Sequence, residues 1–362
     1  MDPNGSSLSS DPSRTCNQTS QLVSTIYFLV ILGLEVSVAP VGVALNVLLI
    51  CSITRTRVFH NNFRLLLTHL SLNAIAYCGS SLGRLIQALV IIGIDPCSLV
   101  VTLYSCKLQE LAVVLPLNNL MYSVLSIGIE RLYATVRRCT YENNRSIVLG
   151  VFLITVTWAV ALGMQVSSIP DMSTSIVAPF CVNILMVGRT TAIIMLLFNI
   201  IQECVGLGLY LWTYILNKLL FVRVLINKSS GHSLTGRFQM AQNIQVCRFM
   251  LPSVCIHMAC WIPANAFVAS VVAGMDLEFI QKVEMIHIAY LLAMVYCIIH
   301  PIICFSVDNK LRRHCQFRSR KVQPENQGQP RAPSARQRPF RPADNHLQIM
   351  LKTWEQIAAI DK

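Results

Sequence analysis

Charged side chains are scarce in this sequence: they make up 13% of its 362 residues, where an ordinary soluble domain carries about a quarter. That deficit argues against a chain that folds with most of its surface in water. A His-Glu-x-x-His pair, a phosphate-binding glycine loop and a Cys-x-x-Cys metal pair are also missing, so zinc and nucleotide-dependent chemistry lack their residues. His287 and His300 stand 13 residues apart, too far along one helix to share a metal. Neither an enzyme nor a cofactor is expected. The stretch before Leu22 is polar and holds both charge signs, so no cleavable signal peptide is read there, and the first apolar run is expected to serve as its own signal anchor.

Hydrophobic residues, by contrast, make up 54% of the chain, and they come in long blocks. A helix needs about 20 apolar residues to cross the hydrocarbon core, because nothing there satisfies an exposed backbone group. Seven blocks meet that length, at 22–53, 65–94, 106–133, 147–169, 190–216, 246–272 and 283–307. The expected fold is therefore all-α, a polytopic bundle of seven membrane-spanning helices. An odd count puts the termini on opposite sides.

Lys and Arg near the ends of the blocks set the orientation. Arg55, Arg57 and Arg64, then Arg137, Arg138 and Arg145, then Lys218, Arg223, Lys228 and Arg237 fall on one side with the tail; the other side holds Arg14, Lys107, Arg189 and Lys282. This asymmetry predicts a leader over 1–21 outside the cell, a membrane domain over 22–307, and a cytoplasmic remainder. Residues 308–320 read as an amphipathic juxtamembrane helix with Cys315 placed for palmitoylation. Residues 321–362 read as a disordered basic tail. From Ser306 onward there are twelve Lys or Arg against five Asp or Glu, a charge that faces membrane lipids or cytoplasmic partners and not nucleic acid. Asn4 and Asn17 head sequons suited to glycosylation on the outer side, although Asn144 and Asn227 match the same pattern on the inner side. Most of the fourteen cysteines lie within apolar blocks, where Cys behaves as a small hydrophobe. Cys16, Cys97, Cys106 and Cys181 remain as disulfide candidates.

Three constellations stand out. Glu130-Arg131 ends the third block: an acid beside an Arg can hold it in one state and release it in another, or the Arg can simply anchor the helix end in the interface. Cys260-Trp261-Ile262-Pro263 lies in the sixth block and His300-Pro301 in the seventh. There a proline removes a backbone hydrogen bond, and Trp261 either reports on a cavity or faces lipid.

In this order and at these depths, the three resemble the motifs of rhodopsin-like G-protein-coupled receptors, and Trp158 and Asn46 fall where that class has Trp and Asn. The third block's Cys106 precedes Arg131 by the 25 residues usual there. The resemblance implies a Cys106–Cys181 disulfide, with Cys97 as the rival partner. The second block shows Leu70-Ser71-Leu72-Asn73-Ala74 with no Asp where that class has one, the fifth block lacks a proline, and Cys304 replaces a Tyr. A closer likeness is to nematode serpentine chemoreceptors, of class alpha/beta or a close relative in the alpha/beta/epsilon group. It is carried by Phe59-His60-Asn61-Asn62, by Glu130-Arg131-Leu132-Tyr133 followed by Tyr141-Glu142, and by Leu234-Thr235-Gly236-Arg237-Phe238-Gln239 with Asn243 and Arg248.

That likeness implies a chemosensory receptor of the plasma membrane, in sensory cilia, which binds an extracellular small molecule and activates a heterotrimeric G protein through Glu130, Arg131, Arg137, Arg138 and Arg237. Trp261, Pro263, His300 and Pro301 would form the switch. Whether it acts as a monomer or a dimer is open. Ionisable groups within a membrane are functional suspects, and Arg84 and Glu110 read either as a structural pair or as ligand contacts. Arg84, Glu110, Asn118, His257, Trp261, His287 and Tyr290 form the expected pocket. A transporter or channel subunit using Glu35 and Glu203 as relay groups is the alternative.

Overall fold

The computed structural model describes residues 12–55, 59–138, 141, 146–167, 177–178, 181–182, 189–226, 234–273, 277–308 and 311. Helix α1 spans Pro12–Ser24, and the membrane-length helices follow as α2 (Ile26–Arg55), α3 (Asn61–Ile94), α4 (Leu103–Val136), α5 (Val148–Ser167), α6 (Arg189–Ile226), α7 (Leu234–Val272) and α8 (Phe279–Val307). Seven of these are long and apolar enough to cross a membrane. A two-residue antiparallel ladder joins β1 (Val101–Thr102) to β2 (Val177–Ala178).

Polarity in this bundle is turned inside out. On α6, Ile194, Leu197, Ile201, Val205, Trp212 and Leu219 are exposed along one stripe, while Glu203, Thr213 and Asn217 are buried. Helical spacing sorts the two sets onto opposite faces. Such an arrangement is stable only where the surroundings are apolar.

Pairing across the bundle fixes the direction of each helix. Glu35 meets His287 and Asn46 meets Cys297, so α2 and α8 run parallel. Arg84 meets Glu110 and His69 meets Ser123, so α3 and α4 run antiparallel. Tyr122 with Asn199 and Thr135 with Asn217 make α4 and α6 parallel. First and last spans that run the same way are what an odd number of crossings requires. Helix α4 sits at the centre: two-thirds of its most apolar stretch is buried, more than in any other span.

Several boundaries differ from those read in the sequence. The first span begins at Ile26, not Leu22, because the chain breaks at Thr25 and the residues before it fold as α1, which buries Thr15, Thr19 and Leu22 on one face. Part of the expected polar leader is therefore an amphipathic helix. Helices α6 and α7 run about ten residues past their apolar blocks, to Ile226 and from Leu234, since a helix need not end where hydrocarbon ends. The run Gly79-Ser80-Ser81-Leu82-Gly83 has the spacing of a hydrolase nucleophile elbow, but it lies within α3 and lacks the strand-to-helix turn that exposes such a serine. Asn4, Cys315, the tail over 321–362 and all of 308–320 except Asp308 and Leu311 lie outside the described residues.

Close packing at one glycine sets the spacing of three helices. A Cβ on Gly42 of α2 would stand 2.9 Å from the Cys78 sulfur of α3 and 3.7 Å from Cys297 Cβ of α8. One turn on, Asn46 donates to the carbonyls of both Gly42 and Cys297 at 2.8 Å. Gly42→Val should thus force α2 off its neighbours at a cost of roughly 1–3 kcal/mol. Thermal unfolding in detergent checks this, and an unchanged midpoint would mean that the contact is soft.

Candidate functional site

One end of the bundle gathers most of the motif residues into a single cluster. Glu130 and Arg131 are both buried and ion-paired to each other, and the hydroxyl of Tyr141 donates to Glu130. Burial and the Glu130 charge hold the Tyr141 phenol well above its ordinary range, so it remains a donor. The Arg131 guanidinium lies 5.0 Å from the centre of the Phe63 ring and donates to Asn243 of α7 at 3.4 Å. One turn on, Thr135 accepts from Asn217 of α6 at 2.7 Å and from Asn243 at 3.5 Å. On α3, Asn62 accepts from the Gly150 amide of α5 at 3.2 Å, and His60, which caps α3, packs its ring against Tyr141 with centroids 4.2 Å apart. The Arg131–Thr135 cluster joins α3, α4, α6 and α7, and the enclosed Arg131 is withheld from any partner at this face. Arg137 is exposed and Arg138 half-buried beside it, while the side chain of Arg237 lies outside the described residues.

At the opposite end Cys106 is bonded to Cys181, and Cys97, the rival in the sequence, is bonded to Cys16 of α1. Beneath them Arg84 and Glu110 form an ion pair, and the Tyr290 hydroxyl donates to Glu110 at 3.3 Å. Tyr77 donates to the Tyr290 carbonyl at 2.9 Å, and Glu35 meets His287 at 3.1 Å. These ionisable groups face one another, which is how charge is tolerated away from water. Asn17 is exposed on α1.

Between the two ends lies a cavity of about 120 Å³ bounded by α4, α5, α6, α7 and α8. Its size is close to the roughly 150 Å³ that holds a benzene-sized guest. Asn118, Gln165, Asn199, Asn265, Tyr122 and Tyr290 supply its polar atoms, Met121, Met164 and Met195 supply thioethers, and Trp261 forms part of its wall. Among the described residues no charged side chain lines it.

The structure therefore brings Asn118, Trp261 and Tyr290 of the expected pocket to the cavity and leaves four of that set outside its wall. Arg84 and Glu110 are held by each other, His287 by Glu35, and His257 by Glu203 and Trp261, because each buried polar group finds a partner before it can face a void. Arg84 does line a second, smaller cavity with Gln87, Ser98 and Gln109 near Cys181. Of the switch residues, His300 bonds Ser253 at 2.6 Å, and Pro263 and Pro301 lie inside α7 and α8 together with an unexpected Pro252. The relay residues Glu35 and Glu203 are both bonded to histidines. Cavity residues missed in the sequence had a signal: Tyr122 and Asn265 stand one turn from Asn118 and Trp261.

Trp158 is also tied down. Its indole donates to His69 at 2.9 Å, and that imidazole meets Ser123 at 3.1 Å, so α3, α4 and α5 share one polar node.

Seven apolar helices, a central α4 with a cavity at mid-span, a disulfide at one end and a buried acid-Arg pair at the other define a multi-pass membrane protein of the seven-transmembrane receptor class. The sequence pattern of the serpentine type 7TM GPCR receptor class ab chemoreceptor family matches residues 13–329. The chain belongs to that family. It is also similar to serpentine receptor class alpha/beta-14 of Caenorhabditis elegans, at 26% identity over 204 residues, which are 56% of this chain and 52% of the relative. The match thus spans about half the length of that curated relative.

Proposed function

We propose that this receptor binds an uncharged small molecule in the cavity walled by Asn118, Trp261 and Tyr290 and, in response, releases Arg131 to a heterotrimeric G protein. The observation that carries the reading is the composition of the cavity: among the described residues its polar groups are amides, phenols and thioethers without a charge. Neutral amides and hydroxyls satisfy carbonyl or hydroxyl groups, whereas a carboxylate or ammonium ion would enter with no counter-charge and pay its full desolvation. Helix α4 supports the coupling, since Asn118 and Arg131 stand on it 13 residues apart, a little over three and a half turns. Only an occupant that prefers one helix arrangement over another shifts their balance. In this reading the end rich in Arg faces the cytoplasm of the plasma membrane, and Cys106–Cys181 faces outside.

The test uses cells displaying an epitope-tagged chain at their surface, with calcium or cAMP as the readout. Neutral six- to eight-carbon alcohols and ketones are compared with the carboxylate and ammonium of the same chain length. Responses are expected for neutral members alone. Ala264→Phe, which projects a ring into the cavity, should abolish them, and Asn118→Leu should weaken them about tenfold through one unmade hydrogen bond. Charged members acting better than neutral ones, or an unaltered response in Ala264→Phe, would defeat the reading.

A further inference from the structure

Trp261 stands at the cavity wall, 4% exposed, and its indole N–H reaches Nδ1 of His257 at 2.9 Å. An indole only donates, so Nδ1 is the acceptor and the hydrogen of His257 sits on Nε2. That hydrogen faces Oε1 of Glu203 on α6, 2.8 Å away, and the same oxygen accepts from Gln202 at 3.0 Å. From α8, the Tyr296 ring meets the imidazole edge-on at 4.6 Å and blocks rotation on that side. His257 and Glu203 are themselves buried and do not line the cavity.

We propose that Glu203 and His257 are positioning residues that hold the Trp261 indole against the cavity and thereby fasten α6 to α7 in the resting arrangement; this rests on the receptor reading above. An occupant that turns Trp261 leaves Nδ1 buried without a donor. It also frees the ring whose orientation aims Nε2–H at Glu203. An unmade buried bond is costly, and linked bonds fail together more readily than separate ones, so the occupant's contact with one side chain is felt between two helices. A tryptophan that merely lined the wall would transmit nothing to α6.

Nitrogen-15 labelling of tryptophan yields four indole signals, since the chain holds four Trp, and Trp261→Phe identifies the relevant one. In the wild type and in Glu203→Gln, whose amide oxygen still accepts, the Trp261 indole proton should resonate downfield as a hydrogen-bonded donor. In His257→Phe and Glu203→Leu it should move upfield. Agonist-independent signalling should rise roughly fivefold in those two variants, the ratio that one hydrogen bond supports, and stay at the wild-type level in Glu203→Gln. His257→Lys, which keeps a donor toward Glu203 and carries no acceptor for Trp261, gives the same reading if a larger change prevents folding. An unmoved indole signal without the imidazole, or Glu203→Gln as active as Glu203→Leu, overturns the proposal. The resonance requires no G protein: if it moves as stated while no form of the chain ever signals, the clamp stands and the receptor reading fails.

Discussion

Glu130→Gln is expected to raise agonist-independent G-protein activation about tenfold, and Arg131→Ala to abolish activation while leaving ligand binding intact. In the structure Arg131 is buried and its charge is balanced by Glu130, which also accepts from Tyr141. Hydrogen bonds to charged groups are worth about 1.5–3 kcal/mol each, and 1.4 kcal/mol is tenfold in a two-state ratio. Replacing the carboxylate by an amide keeps the shape and removes the counter-charge. The guanidinium is then left in a low-dielectric interior without an anion, a state costly enough to favour its escape from the cluster. Tyr141→Phe removes one donor to Glu130 and should shift the balance the same way by less. Nucleotide exchange on a panel of heterotrimers, with receptor present at matched density, measures all three. Basal exchange that is unchanged in Glu130→Gln would show that the pair anchors the helix and gates nothing.

The second large effect concerns the other end. Arg84→Leu should lower stability by about 3–5 kcal/mol, because it strands the fully buried Glu110 carboxylate, Glu110→Leu should cost less, because it leaves a partly exposed Arg84, and the double replacement should cost far less than Arg84→Leu. Glu110 is fully buried and also accepts from Tyr290, and the Arg84 guanidinium lies 5.6 Å from the Tyr290 ring. A double-mutant cycle on thermal unfolding in detergent isolates the coupling. A structural pair gives strong coupling and a double variant that still responds to neutral ligands. Weak coupling with lost ligand response would assign Arg84 and Glu110 to recognition instead, and would move the binding site toward the smaller cavity that Arg84 lines.

Much of the architecture was legible before any coordinates because the membrane restricts what a chain can do. Seven apolar blocks of spanning length have one economical solution, and the helices fall on them. What failed was confined to places where apolarity is not the deciding quantity. The helix over Pro12–Ser24 is polar on one side and buries Thr15, Thr19 and Leu22 on the other, a pattern too short and mixed to stand out. The extensions of α6 and α7 past their apolar blocks are carried by helix propensity and not by hydropathy. Cys97 was ambiguous because two cysteines at similar depth are indistinguishable by spacing, and its bond to Cys16 depends on where α1 comes to rest.

The candidate site shows the same division. Glu130, Arg131, Trp261 and the two prolines were readable as motifs, since each is a residue type that a helix tolerates only for a reason. Their partners were not. Tyr141, Asn243 and Asn217 converge on Glu130, Arg131 and Thr135 from three separate segments. The same is true of the cavity: a helical period told that Asn118 shares a face with Glu110, yet Glu110 is consumed by Arg84 and Asn118 is left to the void.

Taken by itself, the amino-acid order determined how many times this protein crosses a bilayer and which residues are out of place in lipid, because both follow from the transfer of side chains and backbone out of water. Tertiary structure alone decided which of those polar groups neutralise one another and which remain to line the cavity. Partnership between helices is a matter of rotation and depth, and a difference of one residue, or 100° around a helix axis, separates Asn118 on the cavity wall from Asn119 buried against its own helix.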